Sequence, residues 1–197
     1  MLASRYTISV VYPRRGLPLP LELVNTQFAL GGQLRDGMQT PGDLAEWLEA
    51  NAAEFGDLCL PAPSEALLRR FQSLRAALRG IFGSRANDQQ PPADALATLN
   101  TVLAAAPRFS RLDWDARGPR VRSIDLAEDP ETPVLAAVAR SALEVIGSGT
   151  EAKVGQCRAP GCLLFFLREA RRKNWCSAAC GNRARVARHY LRLHGKP

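Results

Sequence analysis

The chain has only two histidines and two methionines in 197 residues, and no apolar run approaches the ~20 residues that a membrane-spanning helix requires. His189 and His194, the two histidines, lie near the end of the sequence, where no Asp or Glu follows Glu169 to complete a His-centred catalytic triad. A Ser-centred elbow and a Gly-rich phosphate loop are also missing, so no catalytic constellation assembles and an enzyme is not expected. The opening MLASRYTISVVYPRRG alternates polar and apolar positions where a secretory signal would be continuously apolar. These absences predict a cytoplasmic protein with no membrane partner.

Acidic residues are missing from one end: none follows Glu169. Residues 151–197 hold eleven Lys/Arg against two Glu, a net of +9, whereas the rest of the chain carries −2 of the overall +7. Charge of one sign confined to a compact segment points to a polyanionic partner, whether DNA, structured RNA or an acidic protein surface.

Apolar periodicity predicts a mainly α chain of the α+β class, with a helical N-terminal domain at residues 1–149 and a small module at 150–197. A short strand is expected at residues 6–12 (YTISVVY), followed by a helical face of Leu21, Val24, Asn25 and Phe28. Thr40 and Asp43 form a variant capping box, and Ser64 caps a long helix whose stripe of Leu67, Leu68, Phe71, Leu74, Leu78, Ile81 and Phe82 closes at Gly83. A helix at residues 93–106, a hairpin turning at Gly118-Pro119, and a helix with Val134, Val138, Leu143 and Ile146 facing inward follow. The GSGT stretch after it reads as a hinge. Cys59 reads as a small buried hydrophobe.

The other four cysteines are Cys157-x4-Cys162 and Cys176-x3-Cys180, separated by thirteen residues. Two close pairs joined by a short spacer are what one tetrahedral zinc ion requires, each pair holding the metal from a single turn. Redox switching of the thiols is the competing use. Pro160 and Gly161 permit the first tight turn, LLFFL supplies a brief strand, and a helix starting near Ser177 sets Cys176 and Cys180 four apart on one face. Four thiolates leave no open coordination position, so the zinc is structural.

On that helix Val186, Tyr190 and Leu193 align with Ala179 as the stripe expected to pack on the knuckle, while Arg185, Arg188 and Arg192 form a flanking row joined by His189. Such a row suits phosphates along a groove. Arg168, Arg171, Arg172 and Lys173 form a second basic cluster ahead of Cys176. Phe165, Phe166, Trp175 and Tyr190 read as the mini-core of the metal module, with stacking on bases as the alternative.

The run WCSAACGNRARVARHY resembles the CGNR zinc-finger family, through Cys180, Gly181, Asn182 and Arg183. Upstream, LELVNT, TPGDLAEWL, LRAALRGIF and LATLNTVLAAAP resemble the ABATE domain found with that finger. The resemblance implies a bacterial transcription regulator with a DNA-binding finger and an N-terminal domain that senses a small-molecule effector. It also carries over Cys157, Cys162, Cys176 and Cys180 as zinc ligands, with Arg183 reaching a phosphate or bracing the fold. Asn174 stands where the family often has a second Arg before the third cysteine. Asn25 and Thr26 of LVNT either line an effector pocket or satisfy buried backbone groups. The oligomeric state stays open, a dimer included.

Overall fold

Side-chain caps at three helix starts and the turns of three hairpins organise the chain locally, and two adjoining apolar cores gather the elements. The computed structural model describes residues 16–30, 32–147, 153–168 and 173–195. The strand expected at residues 6–12, the hinge residues 148–150, and Arg171 and Arg172 lie outside the described residues. The elements are α1 (Leu19–Val24), β1 (Gln27–Leu30), β2 (Gln33–Asp36), α2 (Pro41–Ala50), a 3-10 turn at Ala52–Phe55, α3 (Glu65–Ala86), α4 (Ala93–Ala105), β3 (Arg108–Asp115), β4 (Gly118–Asp125), α5 (Glu131–Gly147), β5 (Lys153–Gln156), β6 (Phe165–Arg168) and α6 (Ala178–His194). The strands pair as three separate antiparallel hairpins, β1–β2, β3–β4 and β5–β6. Among the described residues no helix is long and apolar enough to cross a membrane.

Caps set the helix starts. Thr40 Oγ1 accepts from the Asp43 amide at 3.2 Å while the Asp43 carboxylate accepts from the Thr40 amide at 2.8 Å, a reciprocal capping box. Ser64 Oγ accepts from the Leu67 amide at 3.0 Å and opens α3. That helix is the spine: Leu67, Phe71, Leu74, Leu78 and Phe82 are fully enclosed against α1, α4, α5 and Trp47 of α2.

Several expectations need correction. The face of Leu21, Val24, Asn25 and Phe28 is not one helix, because α1 ends at Val24 with Asn25 as its cap and Phe28 enters the core from β1. Pairing of β1 with β2 takes the backbone that a longer helix would need. Helix α3 runs past Gly83 to Ala86, where Asn87 Nδ2 donates to the Gly83 carbonyl at 2.8 Å. Cys59 is exposed, since its extended stretch alternates and turns the neighbouring Leu58 and Leu60 toward the core. Leu143 is also exposed; the buried face of α5 is Val134, Leu135, Val138, Ala139 and Ala142.

Hairpin β5–β6 does not stand apart from the helical body. Val154, Leu164 and Phe165 belong to the main core, with β5 against α3 and α5 and β6 against α1. Phe166, one residue on, turns to the other side and packs with Cys157, Ala159, Cys180 and Ala184. The period of two in a strand thus makes β6 a shared wall between two cores. Gly155 faces Phe166 in register, and a Cβ there would lie 2.9 Å from the Phe166 ring and 2.5 Å from Arg168 Nε, so any side chain displaces this wall.

Candidate metal centre and basic helix

The knuckle is built by backbone bonds. Cys157 N–H donates to the Leu164 carbonyl at 2.9 Å, Cys162 N–H to the Ala159 carbonyl at 3.0 Å, and Gly161 takes the left-handed φ of +70° that closes the turn. Arg158 N–H donates to the Asn174 carbonyl at 3.0 Å, which ties the knuckle to the approach to the second cysteine pair. Ser177 caps α6 by accepting from the Cys180 amide at 3.2 Å.

These bonds bring the sulfurs of Cys157, Cys162, Cys176 and Cys180 within 4.8 Å of one another. Cys162 Sγ lies 3.8 Å from Cys176 Sγ, which is 3.5 Å from Cys180 Sγ. A tetrahedral zinc with Zn–S bonds of about 2.3 Å places its sulfurs about 3.8 Å apart, so the four residues fit one ion. The Cys176 amide donates to Cys157 Sγ at 3.4 Å and Arg183 Nη2 to Cys180 Sγ at 3.4 Å, both suited to thiolate charge. Hydrogen bonds from the Cys162 and Cys176 side chains hold the Cys157 thiol far below its usual range. Their bonds to Cys157, with burial, push the Cys162 and Cys176 thiols up. Bound zinc supplies the positive charge and the crosslink that hold four such sulfurs together.

The metal ligands also fix how α6 is turned. With Cys180 inward, Gly181 and Ala184 follow it, and the Trp175 indole lies over Gly181. Val186, Tyr190 and Leu193, expected to pack on the knuckle, are instead 59–65% exposed. Of the aromatics expected in the mini-core, Phe166 is buried there with Trp175 half-buried at its edge, whereas Phe165 packs into the main core and the Tyr190 ring lies tilted 4.5 Å from that of His194, outside both. A Cβ on Gly181 would meet Trp175 at an ordinary 3.5 Å. Gly181→Ala is therefore expected to retain zinc and melt within a few degrees of the parent, and a side chain as large as Leu to displace Trp175.

The basic residues separate by role. Arg185, Arg188, His189 and Arg192 line one shallow depression of about 660 Å³ with Asn182 and Val186. Arg188 also lies over Trp175, 6.0 Å from the ring centre, and its Nε donates to the Ala184 carbonyl at 3.3 Å. Arg183 is engaged with the metal ligand Cys180, and Lys173 lies over the Phe166 ring at 5.8 Å.

Asn25 and Thr26 are completely buried. Asn25 Nδ2 donates to the Phe165 carbonyl at 3.0 Å while the Phe165 amide donates to Asn25 Oδ1 at 2.8 Å, so one side chain pairs with β6 as a strand would. Thr26 Oγ1 donates to the Leu23 carbonyl and accepts from Arg75, whose guanidinium grips both oxygens of Asp36 at 2.6 Å. Arg79 donates to the Val24 carbonyl at 2.6 Å and the Leu163 carbonyl at 3.4 Å, and lies over Phe165. Burial, with the charge of Arg75, lowers its pKa. Sequence reasoning missed Arg75 and Arg79; the signal was two arginines four apart between Phe71 and Phe82, where a solvated pair would break the apolar stripe. Asn25→Ala is expected to cost about 1–3 kcal/mol for each Phe165 backbone group left unpaired, measured by urea unfolding of the zinc-loaded protein. Unchanged stability would remove the clamp from the account.

Two family models match the chain. The model described as "Putative stress-induced transcription regulator", ABATE, matches residues 17–149, and that of the CGNR zinc finger matches residues 153–193. Neither is an enzyme family. No curated protein sequence matches the chain. Four clustered thiols behind a CGNR helix, joined to the helical body that the first model covers, make this chain a member of the ABATE family that ends in a CGNR zinc finger holding one structural zinc.

Proposed function

We propose that the protein is a cytoplasmic DNA-binding transcription regulator and not an enzyme, with residues 150–197 as the DNA-contacting domain and 1–149 as an effector-sensing domain. The observation that carries the reading is the shared face of Asn182, Arg185, His189 and Arg192 on α6, beside a depression with no acidic lining residue. A helix of this size enters a major groove, where Arg reads guanine, Asn reads adenine, and further Arg residues bind phosphate. In this reading the zinc does no chemistry on DNA: it holds Cys176 and Cys180 and so fixes which face of α6 points outward. For sensing, a groove of about 410 Å³ lined by Arg70, Ser73, Thr98, Thr101, Val102 and Leu135 is a concave surface on the helical body.

The test is selection from random duplex DNA by the full-length zinc-loaded protein, followed by binding to the selected site, unrelated duplex, structured RNA and heparin over a salt series. A selected site bound at least a hundredfold more tightly than unrelated duplex supports a sequence-specific regulator. Equal binding to all polyanions would leave only a nonspecific electrostatic module and overturn the reading.

A further inference from the structure

Hairpin β3–β4 sorts its side chains by chemistry. Register pairs Arg111 with Arg122 and Asp113 with Arg120 on one face, and Ser110 with Ser123, Leu112 with Val121 and Trp114 with Pro119 on the other. The first face is charged toward its tip, with Phe109 and Ile124 at its base, and its ion pairs leave one positive charge in excess: Asp113 pairs with Arg111 and Arg122, and Asp115 with Arg120. The second is apolar toward its tip, where Leu112 is 63%, Val121 72% and Trp114 74% exposed. Its charges are confined to the base, where Arg108 pairs with Asp125 at 2.8 Å and Arg140 of α5 reaches Asp125 at 3.0 Å.

A two-stranded hairpin is marginal by itself in water, and a sheet with one apolar face is stable when that face is covered. We infer that the Leu112–Trp114–Val121 face is a self-association surface, covered by the same face of a second copy of this chain about a two-fold axis. Charge favours this occupant over a polyanion. The six positions from Ser110 to Ser123 on this face carry none, so two copies meet without like-charge repulsion, whereas a nucleic acid or an acidic protein finds no counter-charge there. Size agrees: the exposed parts of these side chains amount to roughly 400–500 Å² per copy, the small end of specific interfaces and suited to a reversible dimer. A face-to-face pair of hairpins also completes a small two-layer sandwich, the usual solution for two half-apolar sheets.

The inference does not rest on DNA binding and is tested without DNA. Sedimentation equilibrium of full-length zinc-loaded protein is expected to show a monomer–dimer equilibrium in the micromolar range. Trp114→Ser is expected to weaken it at least tenfold, and Leu112→Glu with Val121→Glu to abolish it, with zinc content and helical circular dichroism unchanged. Arg120→Ser on the opposite face is expected to leave it within twofold of the parent. A parent that stays monomeric at 100 µM overturns the inference, as does a dimer insensitive to Trp114→Ser but lost in Val186→Ser with Tyr190→Ser, which would assign association to α6. Co-sedimentation of monomeric parent with phosphatidylcholine vesicles, lost in Trp114→Ser, would make lipid the occupant and equally overturn it.

Discussion

Chelation of zinc, or Cys176→Ser, is expected to unfold residues 153–195 and to lower the melting temperature of the helical body by about 10 °C or more. The finger has little of its own to stand on: its separate core is Cys157, Ala159, Phe166, Cys180 and Ala184, with Trp175 at the edge. A cluster of that size cannot offset the entropy of ordering some forty residues, and structural zinc in such modules contributes about 10–16 kcal/mol. Loss of the metal also leaves thiols whose ionisation is mutually opposed, with Cys162 and Cys176 pushed up by Cys157. The effect spreads because Val154, Leu164 and Phe165 cover the main core, while Asn25 pairs with Phe165 of β6 and Arg79 reaches the Leu163 carbonyl two residues before that strand. Uncovering three large apolar side chains costs about 5 kcal/mol or more, and each kcal/mol shifts the midpoint of a chain this long by about 2–4 °C. The measurement is calorimetry with and without chelator, beside metal analysis expected to give one zinc per chain. Coincident melts of the helical body in both states would show that the shared wall transmits nothing.

Replacing Arg185 and Arg192 together with Ala is expected to lower the salt slope of DNA binding by about 1.8, at about 0.9 for each phosphate that is no longer neutralised, while zinc content and melting temperature stay unchanged. Both line the depression on α6, and neither makes an ion pair among the described residues. If either reads a guanine, its single replacement costs about 1–3 kcal/mol on the selected site and little elsewhere. Arg188→Ala is expected to behave differently, because its guanidinium lies over Trp175, and to cost about 0.5–1 kcal/mol of finger stability as well as binding. Arg183→Ala is expected to weaken zinc retention by removing the hydrogen bond to Cys180 more than it changes the salt slope. Binding by the Arg185/Arg192 variant equal to the parent at every salt concentration would exclude the α6 face. Charge reversal of Arg171, Arg172 and Lys173 would then tell whether that cluster is the DNA-binding surface.

Much of the chain's organisation is local and so was legible. A capping box needs only Thr40 and Asp43, a helix stripe only its period, and a zinc site only two cysteine pairs at short spacing, because each depends on residues a few positions apart. Long-range partners were not legible. Asn25 and Phe165 are 140 residues apart and meet through one side chain and two backbone groups, for which no spacing rule exists. The rotation of α6 was misread for a similar reason: its apolar stripe of Val186, Tyr190 and Leu193 has good helical periodicity, yet the inward face follows Cys180 toward the metal. Coordination geometry outweighs the burial of three side chains at such a site, since zinc contributes more than their transfer energy.

Sequence alone determined the mainly helical class, the four-thiol metal site and the confinement of the net positive charge to the last fifty residues, all of which follow from residue types and short spacings. Tertiary structure alone decided which side of α6 is free and that Asn25, Arg75 and Arg79 work as buried braces. It also decided that β6 serves two cores at once, because a strand's alternate side chains find different neighbours only when distant elements close on both of its faces.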